Sequence, residues 1–379
     1  MTPDIQQNCE IITSLTRLID VVSILNQQSE IAVDLEMDSL HHYREKVCLI
    51  QVSTRSESWL IDPLALKRLS PLAEPLGNPR IRIVMHGADY DIRSLHRDFG
   101  IEVNNLFDTM LAARFLGIPE FGLAALLKMR FGIELNKKYQ KADWSRRPLT
   151  SEMCAYAVAD TSGLLSLYDQ LSSELIQKDR IQWLEEECRL VCQARVTEKS
   201  GPLFLACKGA GKLKGRSLAV LEELLYIRDQ RAREDDRPPF KIVSGETLLE
   251  IAEKKPHCVA ELSGVKGMTP GQIARLGDKI LAAVSQALTA PEEMLPRFPR
   301  IVRSEPTDAA KERLKRLKGW REHKSSSQGL EPGVVAPNWL LEAVADMNPT
   351  TMFALGDVAG LREWQKELYG SELLSTLAS

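Results

Sequence analysis

At 379 residues the chain is longer than one hydrophobic core ordinarily serves, so two or three domains are expected. Hydrophobic residues at 44% and charged residues at 27% exclude a disordered chain, and no apolar run reaches the roughly 18 residues of a membrane helix. A net charge of −3 does not advertise a nucleic-acid partner, yet it is an average that one concentrated acidic site would pull down. The first thirty residues hold no apolar stretch with a small-residue cleavage site, so a cytoplasmic protein is expected. The seven cysteines form no C-x-x-C pair, and the six histidines are not spaced with them as zinc ligands. Cys188 and Cys192, four apart in a helical stretch, read as core positions rather than a disulfide.

The first strand is predicted at 31–36 (IAVDLE), followed by strands at 47–53 (VCLIQVS) and 58–62 (SWLID). Three short β-rich runs with small gaps predict an antiparallel meander. The apolar run 81–86 (IRIVMH) leads into a helix carrying Ile92, Leu95 and Phe99 and stopped at Gly100. From Thr109 to about residue 200 the texture is helical, which predicts an α/β domain with a mixed sheet flanked by helices. Residues 199–216 are rich in Gly and Lys and read as a linker. The GAGK within it fails the phosphate-loop pattern, because residue 206 is Ala and Lys212 precedes Leu213, so no nucleotide cofactor is expected.

An internal repeat follows, at an offset of 93 residues without a gap. Leu221, Leu224 and Arg228 match Leu314, Leu317 and Arg321; Pro239, Leu248 and Ala252 match Pro332, Leu341 and Ala345. Pro256, Leu262, Gly277 and Leu281 match Pro349, Leu355, Gly370 and Leu374. Each copy predicts a long helix, a Pro-containing loop, a second helix stopped by Pro256 or Pro349, and a last helix after Gly277 or Gly370. The proline-rich stretch 289–308 reads as their tether. Domain bounds of 1–205, 212–290 and 305–379 follow.

Three elements carry chemistry. Asp34 and Glu36 are two apart on a strand and share a face, where paired carboxylates are costly unless a cation joins them. In HGADYDI (86–92), Asp89 and Asp91 lie about 200° apart around a helix and cannot face one site. Asp91 is assigned to the site and Asp89 to the helix cap. Tyr156 and Asp160, at i and i+4, put a phenol and a carboxylate on one helix face, just downstream of QKADWSRRPL (140–149).

In this order the elements resemble the tyrosine-bearing branch of the DEDD 3′→5′ exonuclease superfamily. Asp34 and Glu36 fall on its first motif, Asp91 on its second, and Tyr156 and Asp160 on its third. DWSRRPL is similar to the corresponding stretch of the ribonuclease D family and its exosome-associated relatives. The repeat, in LLYIRDQRAREDDRPPFKIVSGETLLEIAEKKP, resembles the HRDC domain. The second copy departs from that pattern, with HKSSSQGLEPG in place of RAREDDRPPF and fewer basic residues, which puts its contact with RNA in doubt.

The resemblance implies an RNase H-like exonuclease domain followed by two small all-α HRDC-like domains. It further implies two divalent ions, Mg²⁺ or Mn²⁺, roughly 3.5–4 Å apart. Asp34 would bridge both, Glu36 and Asp160 would complete one site, and Asp91 would serve the other. Tyr156 would orient the attacking water, and the product would be a nucleoside 5′-monophosphate. The implied substrate is RNA with a single-stranded 3′ end, tRNA precursors among them, and a monomer suffices. Met37 is a candidate to pack on the terminal base, and Lys141 and Arg147 are candidates for backbone phosphates. Lys208, Lys212, Lys214, Arg216, Arg231 and Arg233 are candidates to hold RNA on the first helical repeat. The competing readings are a DNA exonuclease of the same chemistry and a non-catalytic nucleic-acid-binding scaffold.

Overall fold

Strand β2 (Glu30–Met37) carries the buried apolar run Ile31–Val33 and lies at the middle of a six-stranded mixed sheet. The computed structural model describes residues 9–197, 200–299 and 306–378, and these divide into two compact units. The first unit takes 9–37, 47–196 and 306–378; the second takes 38–46, 197 and 200–299. The other strands of the sheet are β1 (Cys9–Ile12), β3 (Val47–Ser53), β4 (Ser58–Ile61), β5 (Arg82–Met85) and β6 (Leu106–Asp108), in the order β1-β4-β3-β2-β5-β6.

The expected meander is present, because β2–β3 and β3–β4 are antiparallel. The pairs β1–β4, β2–β5 and β5–β6 are parallel. Strand β3 is buried along its whole length, which matches its near-continuous apolar sequence. Strands β1 and β6 were not expected; at four and three residues they are too short to show a period.

Around the sheet lie α1 (Leu15–Leu25), α2 (Ala73–Gly77), α3 (Asp89–Phe99), α4 (Thr109–Phe115), α5 (Leu123–Phe131), α6 (Ser151–Ser162), α7 (Leu164–Gln177) and α8 (Ile181–Cys192). Gly100 ends α3 in the left-handed region, as its position after the last periodic residue predicts. Cys188 is buried and Cys192 is half-buried, and all seven cysteines are free thiols. Among the described residues no helix is long and apolar enough to cross a membrane.

The repeat is a repeat of structure. Helices α9 (Gly215–Glu234), α10 (Pro239–Ile242), α11 (Gly245–Lys254), α12 (Val259–Ser263) and α13 (Pro270–Thr289) form the first copy. The second copy is α14 (Asp308–Gln328), α15 (Pro332–Val335), α16 (Asn338–Met347), α17 (Met352–Gly356) and α18 (Glu363–Ala378). Every helix start in the second copy lies 93 residues after its counterpart. The expectation for the last helix is corrected: Gly277 and Gly370 lie inside α13 and α18 rather than before them. Helix α13 starts earlier because Pro270 occupies its first turn and Thr269 with Gln272 forms a capping box.

The expected linker is corrected as well. Phe204, Ala210 and Leu213 are buried in the core of the second unit beside Leu218 and Leu221, so a bound at 205 cuts through a folded segment. Lys199, and residues 300–305 of the expected tether, lie outside the described residues. In the second unit Tyr43 donates to Asp229 at 2.7 Å and accepts from Arg233 at 2.7 Å.

The second copy shares the first unit's core. Trp364 stacks on Trp183 with ring centroids 4.6 Å apart, and Phe115 meets both edge-on. Arg362 makes a two-pronged ion pair with Glu187, at 2.6 and 3.1 Å. The Glu186 carboxylate accepts from the backbone N–H groups of Glu363 and Trp364, neutralising the exposed donors at the start of α18.

Candidate active site

The strand order reverses at β2, with β3 and β4 following on one side and β5 and β6 on the other. Strand β5 pairs only with Glu30–Ala32, so Asp34 and Glu36 lie beyond that ladder, toward the carboxyl end of β2. Such a switch point is where an open α/β sheet leaves a crevice for chemistry. Asp34 is directly opposite Gln51, and Glu36 opposite Leu49, so all four side chains share one face. A register shift between Glu36 and Met37 ends the regular ladder there.

Helix α6 packs on β2, β3 and β4 and brings up Tyr156 and Asp160. Thr150 starts α6 by accepting from the Met153 N–H at 3.2 Å. One oxygen from each of Asp34, Glu36 and Asp160 can be chosen so that all three lie within 4.8 Å of one another. The Tyr156 hydroxyl and the Asp160 carboxylate, one helical turn apart, are close enough to shift each other's protonation. Trp144, almost wholly buried, holds the Tyr156 ring from one side at 5.9 Å, and Tyr139 meets it edge-on at 6.0 Å. That packing is what the QKADWSRRPL stretch contributes.

Asp91 is buried on the first turn of α3, and its charge is felt at both Asp34 and Glu36. Asp89 does not cap the helix, which corrects the expectation; it forms an ion pair with Arg93 at 2.9 Å. Helix α3 has no side-chain cap; Asp108, which the sequence reading missed, caps α4 and ties it to the β5–α3 junction. Its carboxylate accepts from Gly87 N–H and Ala88 N–H, both at 2.9 Å, and from Met110 N–H at 2.8 Å. Gly87 supports this junction by adopting a φ of 72°, a conformation costly for other residues. The signal for Asp108 was available as an Asp immediately before the helical texture at Thr109.

Burial first, then repulsion from Asp91, Asp160 and Glu36, raises Asp34 well above the usual carboxylate range. Burial, then Asp160 and Asp91, pushes Glu36 up to about 9. Burial and Asp108 push Asp91 up to about 8. Burial takes Asp160 to about 7, opposed by the nearby Tyr156 hydroxyl. Tyr156 is raised too, by burial and then by Asp160, Glu36 and Asp34. Among the described residues no Lys, Arg or His forms an ion pair with any of the four carboxylates. The donor set is all oxygen and starved of positive charge, which fits hard divalent cations.

A consequence for stability follows. A carboxylate whose folded pKa is raised contributes stability below its unfolded pKa, and loses it as pH rises through the folded value. The metal-free protein is therefore expected to lose thermal stability between about pH 4 and pH 9, the lower bound being the ordinary carboxylate pKa. Mn²⁺ is expected to raise the melting temperature more at pH 8 than at pH 5.5. Thermal scans with and without Mn²⁺ check this, and an equal increment at both values contradicts it.

The expected substrate contacts fare differently. Met37 is half-buried and packs against the core of the first unit. Lys141 is exposed on the segment before α6. The expectation for Arg147 is corrected, because its guanidinium is fully engaged within the fold. It grips Asp62 at 2.6 and 2.8 Å and donates to the carbonyls of Cys48, Trp144 and Arg146. All five of its donors are used, which leaves none for a phosphate. On the first repeat, Arg216 donates to the carbonyls of Leu288 and Ala290, Arg231 pairs with Asp235, and Arg233 with Asp229. Lys208, Lys212 and Lys214 are exposed.

Comparison with known proteins places the fold in a family. The 3′-5′ exonuclease domain family matches residues 9–176, and the HRDC domain family matches 217–284 and 310–377. The chain is 30% identical over 357 residues to ribonuclease D of Pseudomonas paraeruginosa, covering 93% of each chain. It is 36% identical over 261 residues to mouse exosome complex component 10, covering 65% of this chain but only 29% of that one. Its structure is similar to the crystal structure of Escherichia coli RNase D, with a TM-score of 0.73 at 27% identity, covering 98% of this chain and 99% of that one. An acidic cluster within an exonuclease fold implies dependence on a divalent metal.

Proposed function

This chain belongs to the ribonuclease D family of exoribonucleases, and we propose that it shortens RNA from a single-stranded 3′ end, one nucleoside 5′-monophosphate at a time. The observation that carries the reading is the convergence of Asp34, Glu36 and Asp160, with Asp91 beside them and Tyr156 one helical turn before Asp160 on the same face. Asp34, Glu36, Asp91 and Asp160 hold two ions, Mg²⁺ or Mn²⁺. Bound there, such ions supply a nucleophilic water at neutral pH and charge stabilisation for the leaving 3′-oxygen.

Tyr156 orients the attacking water through its hydroxyl. Its raised pKa keeps the phenol protonated at neutral pH, so it acts by hydrogen bonding and not as a base. Trp144 and Tyr139 enclose the ring and set its orientation beside Asp160. Met37, next to Glu36, supports the terminal base, and Lys141 contacts a backbone phosphate. The exposed Lys208, Lys212 and Lys214 add electrostatic affinity for the RNA backbone.

The natural substrates are structured RNAs with 3′ extensions, tRNA precursors among them, and the protein acts as a cytoplasmic monomer of one exonuclease and two HRDC domains. Tyr156→Phe is expected to lower turnover by about ten- to a hundredfold while RNA affinity stays within a factor of two, a size in keeping with the loss of one positioning hydrogen bond. Single-turnover rates and equilibrium binding check it; an unchanged rate assigns the phenol to packing alone. The substrate is tested by incubating equal amounts of matched single-stranded RNA and DNA with the protein and Mg²⁺ and identifying the products by chromatography. Faster release of ribonucleoside 5′-monophosphates supports the reading. Equal or faster loss of DNA moves the function to DNA repair.

A further inference from the structure

Gln51 sits in the middle of β3 with no solvent exposure, and neither atom of its side-chain amide has a hydrogen-bond partner among the described residues. Buried amides are almost always satisfied, and an orphan with two donors and an acceptor is destabilising wherever it stands. Its surroundings are fixed by the sheet. Asp34 is its direct neighbour across the β2–β3 ladder, and Leu60 its neighbour on β4. Directly opposed side chains on one face approach within about 5 Å at Cβ.

The same face is roofed by α6. Ser53, two residues along β3, hydrogen-bonds Thr161 at 2.7 Å, and Thr161 follows Asp160. Leu49 and Leu60 pack with Trp144, Ala157 and the half-buried Tyr156. Gln51 is thus enclosed by β2, β4 and the helix that carries Tyr156 and Asp160. Leucine or isoleucine would fill this position without leaving polar atoms unpaired, as they do at the flanking Leu49 and Ile50.

We propose that Gln51 is a positioning residue of the metal site, its amide N–H groups serving as donors to the ionised Asp34 carboxylate. The inference rests on the assignment of Asp34 as a ligand. Its chemistry is that of an outer partner: the amide satisfies a ligand oxygen and holds the carboxylate in the orientation the cation needs. Asp34 is the carboxylate most enclosed by the other three charges, so it gains most from a neutral donor that brings no competing charge.

The test uses the full chain without RNA and measures Mn²⁺ affinity by electron paramagnetic resonance titration. Wild type, Gln51→Met and Asp34→Asn are compared, each with its thermal midpoint in EDTA. Methionine keeps the length of the side chain and removes only its polar atoms. Gln51→Met is expected to weaken Mn²⁺ binding about ten- to a hundredfold, the usual effect of removing an outer partner, while its midpoint in EDTA stays equal or rises. Gln51→Glu, run alongside, distinguishes a required donor from a required shape, and weakened binding is expected there too. Unchanged Mn²⁺ affinity in Gln51→Met, with Asp34→Asn losing the ion, overturns the role of Gln51 and leaves the site intact. Unchanged affinity in Asp34→Asn overturns the metal assignment itself.

Discussion

Replacing Asp34 with alanine is expected to reduce exonuclease turnover at least a thousandfold while the folded state and RNA affinity survive. Asp34 is surrounded by the other three carboxylates, and its own burial and their charge all resist its ionisation without a cation. Removing it therefore relieves repulsion in the metal-free protein while deleting a carboxylate from the proposed metal site. Loss of activity should accompany an unchanged or higher melting temperature in EDTA. A fall in turnover of that size amounts to about 4 kcal/mol of transition-state stabilisation. Single-turnover kinetics with saturating enzyme measure the rate, and a thermal scan in EDTA measures the fold. Residual activity within tenfold of wild type removes Asp34 from the chemistry, and a collapsed melting temperature makes it a structural residue.

Arg147→Ala is expected to destabilise the first unit by about 2–3 kcal/mol, because it leaves the buried Asp62 carboxylate without its charged donor. The Asp62 side chain is only 5% exposed, and Arg147 also ties together three backbone carbonyls around Trp144. Arg146 supplies the contrast: its side chain is 82% exposed against Asp143, and its removal should cost under about 1 kcal/mol. The effect carries a pH signature. Burial would raise Asp62, but the Arg147 hydrogen bonds and charge outweigh it and hold the carboxyl below the usual range. A depressed folded pKa gives stability that is present above the unfolded value, near pH 4, and lost as pH falls through the folded one. The deficit of Arg147→Ala should therefore be largest at pH 7 and shrink below pH 4. Urea unfolding at pH 7 and pH 3.5 measures both; a deficit under 1 kcal/mol at pH 7 returns Arg147 to the candidates for phosphate contact.

The parts of the molecule legible in the sequence are those whose signal is local and periodic. Strands β2, β3 and β4 were readable from apolar runs bounded by turns, and α3 from its spacing and Gly100. The helical repeat was readable because its offset is constant and every helix start obeys it. Asp34 and Glu36 could be paired because alternation on a strand fixes which side chains share a face. Their meeting with Asp160 depends on α6 lying across three strands, a contact between residues more than a hundred apart, and only the family resemblance reached that far.

What the sequence concealed was partnership. Arg147 and Lys141 look alike as cations beside a tryptophan, and only the fold shows that one guanidinium is wholly engaged by Asp62 and three carbonyls. Asp89 and Asp108 both stand at helix starts, yet Asp89 turns to Arg93 while Asp108 caps α4 and also reaches Gly87 and Ala88 across the β5–α3 junction. The segment from residue 200 to 216 read as a linker because Gly and Lys dominate it. Its three apolar anchors, Phe204, Ala210 and Leu213, are too widely spaced to form a pattern, yet they fill the core of the second unit.

The most direct test of the central claim is a time course on single-stranded RNA labelled at its 5′ end, run with Mg²⁺, with EDTA and with Asp34→Ala. A ladder of labelled fragments shortening from the 3′ end in Mg²⁺, absent in EDTA and in the variant, is the expected result. Intact RNA in all three lanes, or a ladder that persists in EDTA or in the variant, contradicts metal-dependent cleavage at the Asp34 site.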